Sequence, residues 1–252
     1  MRRATWAAAV ILSLSLSAAG GEMKRVWTIG KADDDTAEFA LGRDGFRNYS
    51  RDGLFIVGKS DPGKDWPYTH PGPSDTWAGG RAHTFTILFG LEGDVSAGRL
   101  VVDLADTHGI RPPSLRITVN GTSYEHTTPK GGTDASITGN PAAGKEHILT
   151  IDLPAGVLKA GLNEIAITNY RLSWLLYDWL GLEAAGDVQA APAEGALLRS
   201  AQMDRWLSRR RGKLTHACQA TYVCIGGLED LALKADGQTK SLPPTPGPAT
   251  AE

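Results

Sequence analysis

The chain has 252 residues, 41% of them hydrophobic, which is enough to fill one large domain or two small ones. A formal net charge of -2 gives no electrostatic reason to expect nucleic acid or an anionic membrane as partner. With 30 Gly and 14 Pro, short strands joined by many turns are favoured over a helical bundle.

Arg2 and Arg3 precede an uncharged, largely apolar run at 7–16, and Ser17-Ala18-Ala19 offers small residues to a signal peptidase. This pattern predicts a secretory signal over residues 1–19, too short to anchor in a bilayer. The expected location is therefore secreted or periplasmic, with no membrane association after cleavage. Cys218 and Cys224 are too few to frame the fold, but in an oxidising compartment they could pair if the local geometry allows. Asn48-Tyr49-Ser50 and Asn120-Gly121-Thr122 fit the glycosylation acceptor pattern.

Along the chain, 26–29 reads as a strand closed by Gly30. The acidic run Asp33-Asp34-Asp35 reads as a solvated turn; a calcium loop is the sharper alternative, without EF-hand spacing. Residues 37–40 form a second apolar patch. Two apolar runs, 54–57 and 85–89, then enclose a loop dense in Gly, Pro and Asp that carries Asp65, Trp66, Tyr68, His70, Asp75, Trp77, Arg81 and His83. Strands follow at 99–104 and at 115–119, where Asn120-Gly121 signals a hairpin returning through 122–126. After a polar, Gly-rich loop at 127–144 come strands at 148–153 and 161–167, and a very apolar one at 173–183.

This spacing predicts an all-β fold, an antiparallel β-sandwich over 26–184. Residues 185–194 read as a linker containing Pro192. An incomplete extension over 195–242 is expected to hold a helix at 195–211, carrying Arg205, Arg209, Arg210 and Arg211, and then short strands. The Pro-rich end, 243–252, is expected to be disordered.

Loops on a rigid scaffold carry most binding groups. The apolar face of a pyranose packs on an indole or phenol while polar neighbours take its hydroxyls. Trp66, Tyr68 and Trp77 are thus candidate stacking platforms, with Asp65, Arg81 and His83 as hydrogen-bonding partners. Tyr170, Arg171 and Trp174, with Asn169, form a second polar-aromatic group. The competing reading of each aromatic is a plug in the end of the sandwich core. Asp65, Asp75, His70 and His83 leave room for acid–base chemistry, but the sequence contains no G-x-S-x-G, H-E-x-x-H or P-loop motif, and the cysteine spacing does not suit zinc.

The order of short motifs resembles a known family. Trp27-Thr28-Ile29-Gly30 with Asp33 and Glu38-Phe39 leads to Val57-Gly58-Lys59-Ser60-Asp61 and Lys64-Asp65-Trp66. Runs at 84–89, 115–120 and 161–165 follow, ending in Leu176-Tyr177-Asp178-Trp179-Leu180-Gly181-Leu182-Glu183. The set resembles the carbohydrate-binding-module-like C-terminal domain of polysaccharide lyase family 4 rhamnogalacturonan lyases, a galactose-binding-like jelly-roll.

The resemblance implies a carbohydrate-binding module serving pectin or rhamnogalacturonan breakdown, with a plant cell-wall or related polysaccharide as partner. A catalytic domain or protein is a further expected partner. In that family the cutting residues belong to a separate, larger domain with no counterpart here, so no catalytic residue and no cofactor is assigned. It also implies that Glu38 and Asp178 could hold a structural calcium, against the alternative that Asp178 accepts a hydrogen bond from a neighbouring loop. Two other functions stay open: a small polysaccharide lyase or glycoside hydrolase in its own right, and a structural accessory domain severed from a longer enzyme.

Overall fold

The computed structural model describes residues 22–203 and the strands 208–210, 213–215, 218–226, 231–235, 238–242 and 247–251; the stretch 1–19, expected from its sequence to be a secretory signal, lies outside the described residues. In chain order the strands are β1 (Met23–Gly30), β2 (Leu54–Ile56), β3 (Thr69–His70), β4 (His83–Leu91), β5 (Ala97–Thr107) and β6 (Ser114–Val119). Next come β7 (Thr122–Thr127), β8 (His147–Pro154), β9 (Gly161–Arg171), β10 (Leu175–Ala185) and β11 (Ala190–Ala191). The extension contributes β12 (Gly195–Met203), β13 (Ser208–Arg210), β14 (Lys213–Thr215), β15 (Cys218–Gly226), β16 (Leu231–Ala235), β17 (Gln238–Leu242) and β18 (Gly247–Ala251). Among the described residues no helix is long and apolar enough to cross a membrane.

The expected antiparallel sandwich is present. One sheet runs β1-β10-β5-β8 with β3 on β10, and the other runs β11-β4-β9-β6-β7 with β2 on β4. Only β2 joins its neighbour in parallel within these two sheets. Alternation decides which residues face inward. On β9, Ile165 and Ile167 enter the core while Thr168 and Tyr170 lie on the outer face, as a period of two requires. Strand β10 is buried along almost its whole length because it is central in its sheet and covered on both faces. The β6–β7 hairpin turns through Asn120 (φ 47°) and Gly121 (φ 88°), the left-handed pair that a tight two-residue turn needs.

The extension departs from expectation. The predicted helix at 195–211 is instead strand β12, which pairs with β15, followed by the short β13–β14 hairpin. Most of the Thr221-Tyr222-Val223-Cys224-Ile225 run in β15 is buried, and β12 supplies its hydrogen-bonding edge. Within the expected disordered tail, Gly247–Ala251 pairs with β15 as an outer strand, the position at which Pro248 is tolerated. Nor is 185–194 a free linker: Ala190 and Ala191 pair with β4, and Ala193 is fully buried.

Leu88 on the outer face of β4 meets Ala193, Val223 and Ile225, flanked by Leu54, Ile56, Leu162 and Leu197. Lys59 Nζ donates to the carbonyls of Ala193 (3.1 Å) and Ile225 (2.9 Å). The extension thus covers apolar side chains that the sandwich alone would leave in water. Cys218 and Cys224 lie on the single strand β15, about 20 Å apart at the rise of an extended chain, too far to form a disulfide. Cys224 is a buried free thiol.

Candidate functional site

Loops at one end of the sandwich build the candidate site around Asp52. Its Oδ1 accepts from Tyr49 Oη (2.8 Å), His83 Nδ1 (2.7 Å) and Arg81 Nη2 (2.9 Å). Its Oδ2 accepts from Arg81 Nη1 (3.2 Å) and the Thr84 amide (3.1 Å). Burial alone would raise this carboxyl, but the donors from His83, Arg81, Thr84 and Tyr49 hold it well below the usual carboxylate range. The carboxylate therefore pins the 49–52 segment to the first residues of β4.

On this base stands an aromatic group. Trp77, on the short 3-10 turn Thr76–Ala78, meets the edge of Phe46 at 5.1 Å and of Tyr49 at 6.1 Å. All three rings are only partly buried. The Arg47 guanidinium sits 5.0 Å from the Phe46 ring, and the Arg81 side chain is 56% exposed even while it pairs with Asp52. Partly open rings ringed by guanidinium groups can stack on a sugar face and hydrogen-bond its oxygens.

The predicted site residues divide. Trp77 and Arg81 belong to this rim. Trp66 and Tyr68 do not: both are fully buried, which rules them out as stacking platforms. The helical turn Pro62–Asp65 and the hydrogen bonds Ala40 N to Trp66 O (3.0 Å) and Tyr68 N to Ala40 O (3.0 Å) fold this part of the loop inward. Trp66 then packs against Phe85, Phe55 and Tyr177, while Tyr68 Oη donates to the Ile137 carbonyl at 2.7 Å. His83 is also fully buried and acts beneath the rim by holding Asp52. Asp65 is partly exposed, with one carboxylate oxygen accepting from the Asp61 amide (3.0 Å) and the other 3.6 Å from Arg51.

The second predicted group splits as well. Trp174 is buried against His108 at 5.3 Å and offers no platform. Tyr170 lies on the outer sheet face, with Arg116 5.0 Å from its ring and its hydroxyl donating to Glu125 (3.1 Å). Arg171 is exposed at the end of β9. The loops behind the two groups do meet: Ser74 N donates to Leu172 O (2.9 Å) and Ser173 Oγ to Asp75 Oδ1 (2.5 Å). Phe46, Tyr49 and Asp52 were missed by sequence reasoning. The signal available was the run Arg43-Asp44-Gly45-Phe46-Arg47-Asn48-Tyr49-Ser50-Arg51-Asp52, which mixes aromatics with both charges and has no strand or helix period.

Residues 25–182 match the family model described as CBM-like, polysaccharide lyase family 4, domain III. The chain belongs to that family. Among solved structures, similar chains include a family 35 carbohydrate-binding module from an environmental isolate, at 15% identity and TM-score 0.35, covering 67% of this chain and 98% of that one. The CBM35 from Cellvibrio japonicus Abf62 is 14% identical, with TM-score 0.36 and coverages of 66% and 99%. A ruminal GH26 endo-β-1,4-mannanase is 16% identical, with TM-score 0.33 and coverages of 65% and 27%. No curated protein matches the chain.

Beneath the other loops of this CBM-like domain lies a second set of carboxyls. Asp178 on β10 is buried and accepts from the Asp33 amide at 3.4 Å, while Glu38 accepts from the Lys31 amide at 2.7 Å. These contacts follow the hydrogen-bond alternative for Asp178. Among the described residues no three His, Cys, Asp or Glu side chains are grouped to hold a metal. In the acidic run, Asp35 instead pairs with Arg43 and accepts the Thr36 amide at 2.7 Å.

Burial, reinforced by the nearby Asp103 and Asp34, pushes the Asp178 carboxyl up to about 7, and burial with Glu146 pushes Asp103 to about 6. The folded state therefore holds protons that the unfolded chain releases above about pH 4, so these two groups weaken the fold as pH rises from 4 to 7. Asp178→Asn is expected to stabilise the protein at pH 8 by ~1–3 kcal/mol, with the gain vanishing near pH 4. Urea unfolding across this pH range checks it; a gain equal at both ends would mean that charge is not the cause.

Proposed function

We propose that this is a secreted, non-catalytic carbohydrate-binding module that directs polysaccharide breakdown to pectin, rhamnogalacturonan or related cell-wall material. The observation that carries the reading is the partly buried Trp77, edge-packed on Phe46 and Tyr49 beside the exposed Arg81, on a loop end fixed by Asp52. The indole would stack on a sugar ring, and the outward N–H groups of Arg81 would meet hydroxyls or a uronate carboxylate. A catalytic domain or protein working on the same polymer is the natural partner. Membership of the family supports carbohydrate as the ligand class; the pectic substrate, export and lack of catalysis belong to the proposal.

Affinity electrophoresis and calorimetry with rhamnogalacturonan, homogalacturonan and neutral polysaccharides test it. Trp77→Ala is expected to weaken binding at least tenfold, about 1.4 kcal/mol, while circular dichroism shows an intact fold. Equal binding by parent and variant would remove the rim from the account. Incubation with rhamnogalacturonan is expected to produce no absorbance from unsaturated uronate; steady turnover would overturn the non-catalytic reading.

A further inference from the structure

At the far edge of the sandwich, His126 lies one residue before the end of β7 and His147 opens β8. These are edge strands of different sheets, so the two rings bridge the open seam between the layers. Their Nε2 atoms face each other at 3.0 Å, with ring planes 15° apart. Both side chains are half-buried. Each ring sits at one foot of the β7–β8 connection, which is itself fastened. Asp106 accepts from Gly132 N (2.7 Å), Lys145 N (3.0 Å) and Ser136 Oγ (2.5 Å), and Tyr68 reaches the Ile137 carbonyl. The two imidazoles are therefore presented from rigid supports rather than from a loose loop.

We propose that His126 and His147 form a cross-sheet, two-imidazole site for a late first-row divalent cation of the copper or nickel class. The rings point at each other nearly along the Nε2–Nε2 line, with centroids 5.2 Å apart, so each turns modestly to aim its lone pair at a shared cation; imidazole nitrogens hold copper most tightly among the first-row divalent metals. Without metal, one Nε2–H donates to the other Nε2. Binding moves that proton to Nδ1 of the same ring, so the neutral pair coordinates without net proton release. Burial lowers the pKa of both rings, and for His126 the neighbouring His147 adds to it, which keeps the lone pairs available at neutral pH. Among the described residues no third His, Cys, Asp or Glu completes a ligand group, so water or a bound molecule fills the other positions.

The test uses tag-free protein titrated with copper(II) chloride at pH 7.5, read by calorimetry and electron paramagnetic resonance. One equivalent is expected to bind, with superhyperfine structure from two imidazole nitrogens. His126→Gln and His147→Gln are each expected to weaken binding at least tenfold. Copper held by the chain terminus or by His108 would survive both substitutions, and that result overturns the proposal. If a variant fails to fold, the parent protein's spectrum decides: fewer than two coordinated imidazoles overturns the assignment.

Discussion

Replacing Trp66 by Ala is expected to cost about 3–5 kcal/mol, a large share of the ~5–15 kcal/mol that holds a typical domain together. The indole is fully buried, with Phe85 at 5.1 Å, Tyr177 at 5.3 Å and Phe55 at 6.4 Å around it. Phe85 and Phe55 meet it edge-on, a favoured arrangement for aromatic pairs, and Ala would leave a cavity that three rings on different strands cannot close together. The site is tight even for backbone: a Cβ added at Gly53 would lie 2.9 Å from the Phe85 ring and 3.2 Å from the Trp66 ring. Urea unfolding followed by circular dichroism measures the loss. The contrast with Trp77→Ala is the informative part, since that variant should keep its fold and lose its ligand. A Trp66→Ala protein that melts like the parent yet binds no polysaccharide would put Trp66 back at the surface.

The second large effect is expected at Asp52. Asp52→Ala removes the acceptor for Tyr49, His83, Arg81 and the Thr84 amide together, at a cost of about 2–4 kcal/mol, because buried donors lose their partner. It also releases Arg81 and the support under Trp77, so polysaccharide binding should fall with stability. The sign with pH is fixed. A carboxyl held below its unfolded pKa contributes stability that is present above about pH 4 and is lost as pH falls further. The difference between parent and Asp52→Ala should therefore be full at pH 7 and shrink below about pH 4. A difference that stays constant down to pH 2 would mean that packing, and not the ionised carboxylate, carries the effect.

Acid should weaken both proteins through another group. His70 is fully buried, stacks on Phe85 at 3.9 Å and donates from Nε2 to the His83 carbonyl at 3.0 Å, leaving Nδ1 to accept from Tyr177 Oη at 2.8 Å. Burial holds this imidazole neutral, with its pKa lowered to about 3. The unfolded chain protonates near pH 6.5, so stability drops from there downward, opposing the gain that Asp178 and Asp103 make over pH 7 to 4.

The strands were legible because each carries its own signal. Alternation at 115–119 fixed the face that Leu115 and Ile117 bury, and Asn120-Gly121 fixed the hairpin. The apolar run at 173–183 matched the central position of β10. The extension was misread because 195–211 has no strong period of either kind; pairing with β15 made it a strand, and pairing is not local information. The site was half legible. Trp77 and Arg81 reached the rim, whereas Trp66 and Tyr68 carry the same kind of side chain in the same Gly- and Pro-rich loop and went into the core, as did Trp174 after β9.

Sequence by itself determined the all-β sandwich, its main strands over 26–184 and the family, since periodicity, turn residues and motif order are written in neighbouring positions. Only the tertiary structure decided which indoles face water, that Asp52 gathers Tyr49, Arg81 and His83, and that His126 meets His147 across the seam. The physical reason is that burial and charge pairing depend on which distant segment arrives alongside. A Trp in a loop is a platform or a plug according to whether another part of the chain, here the Ala40 bridge and β10, closes over it.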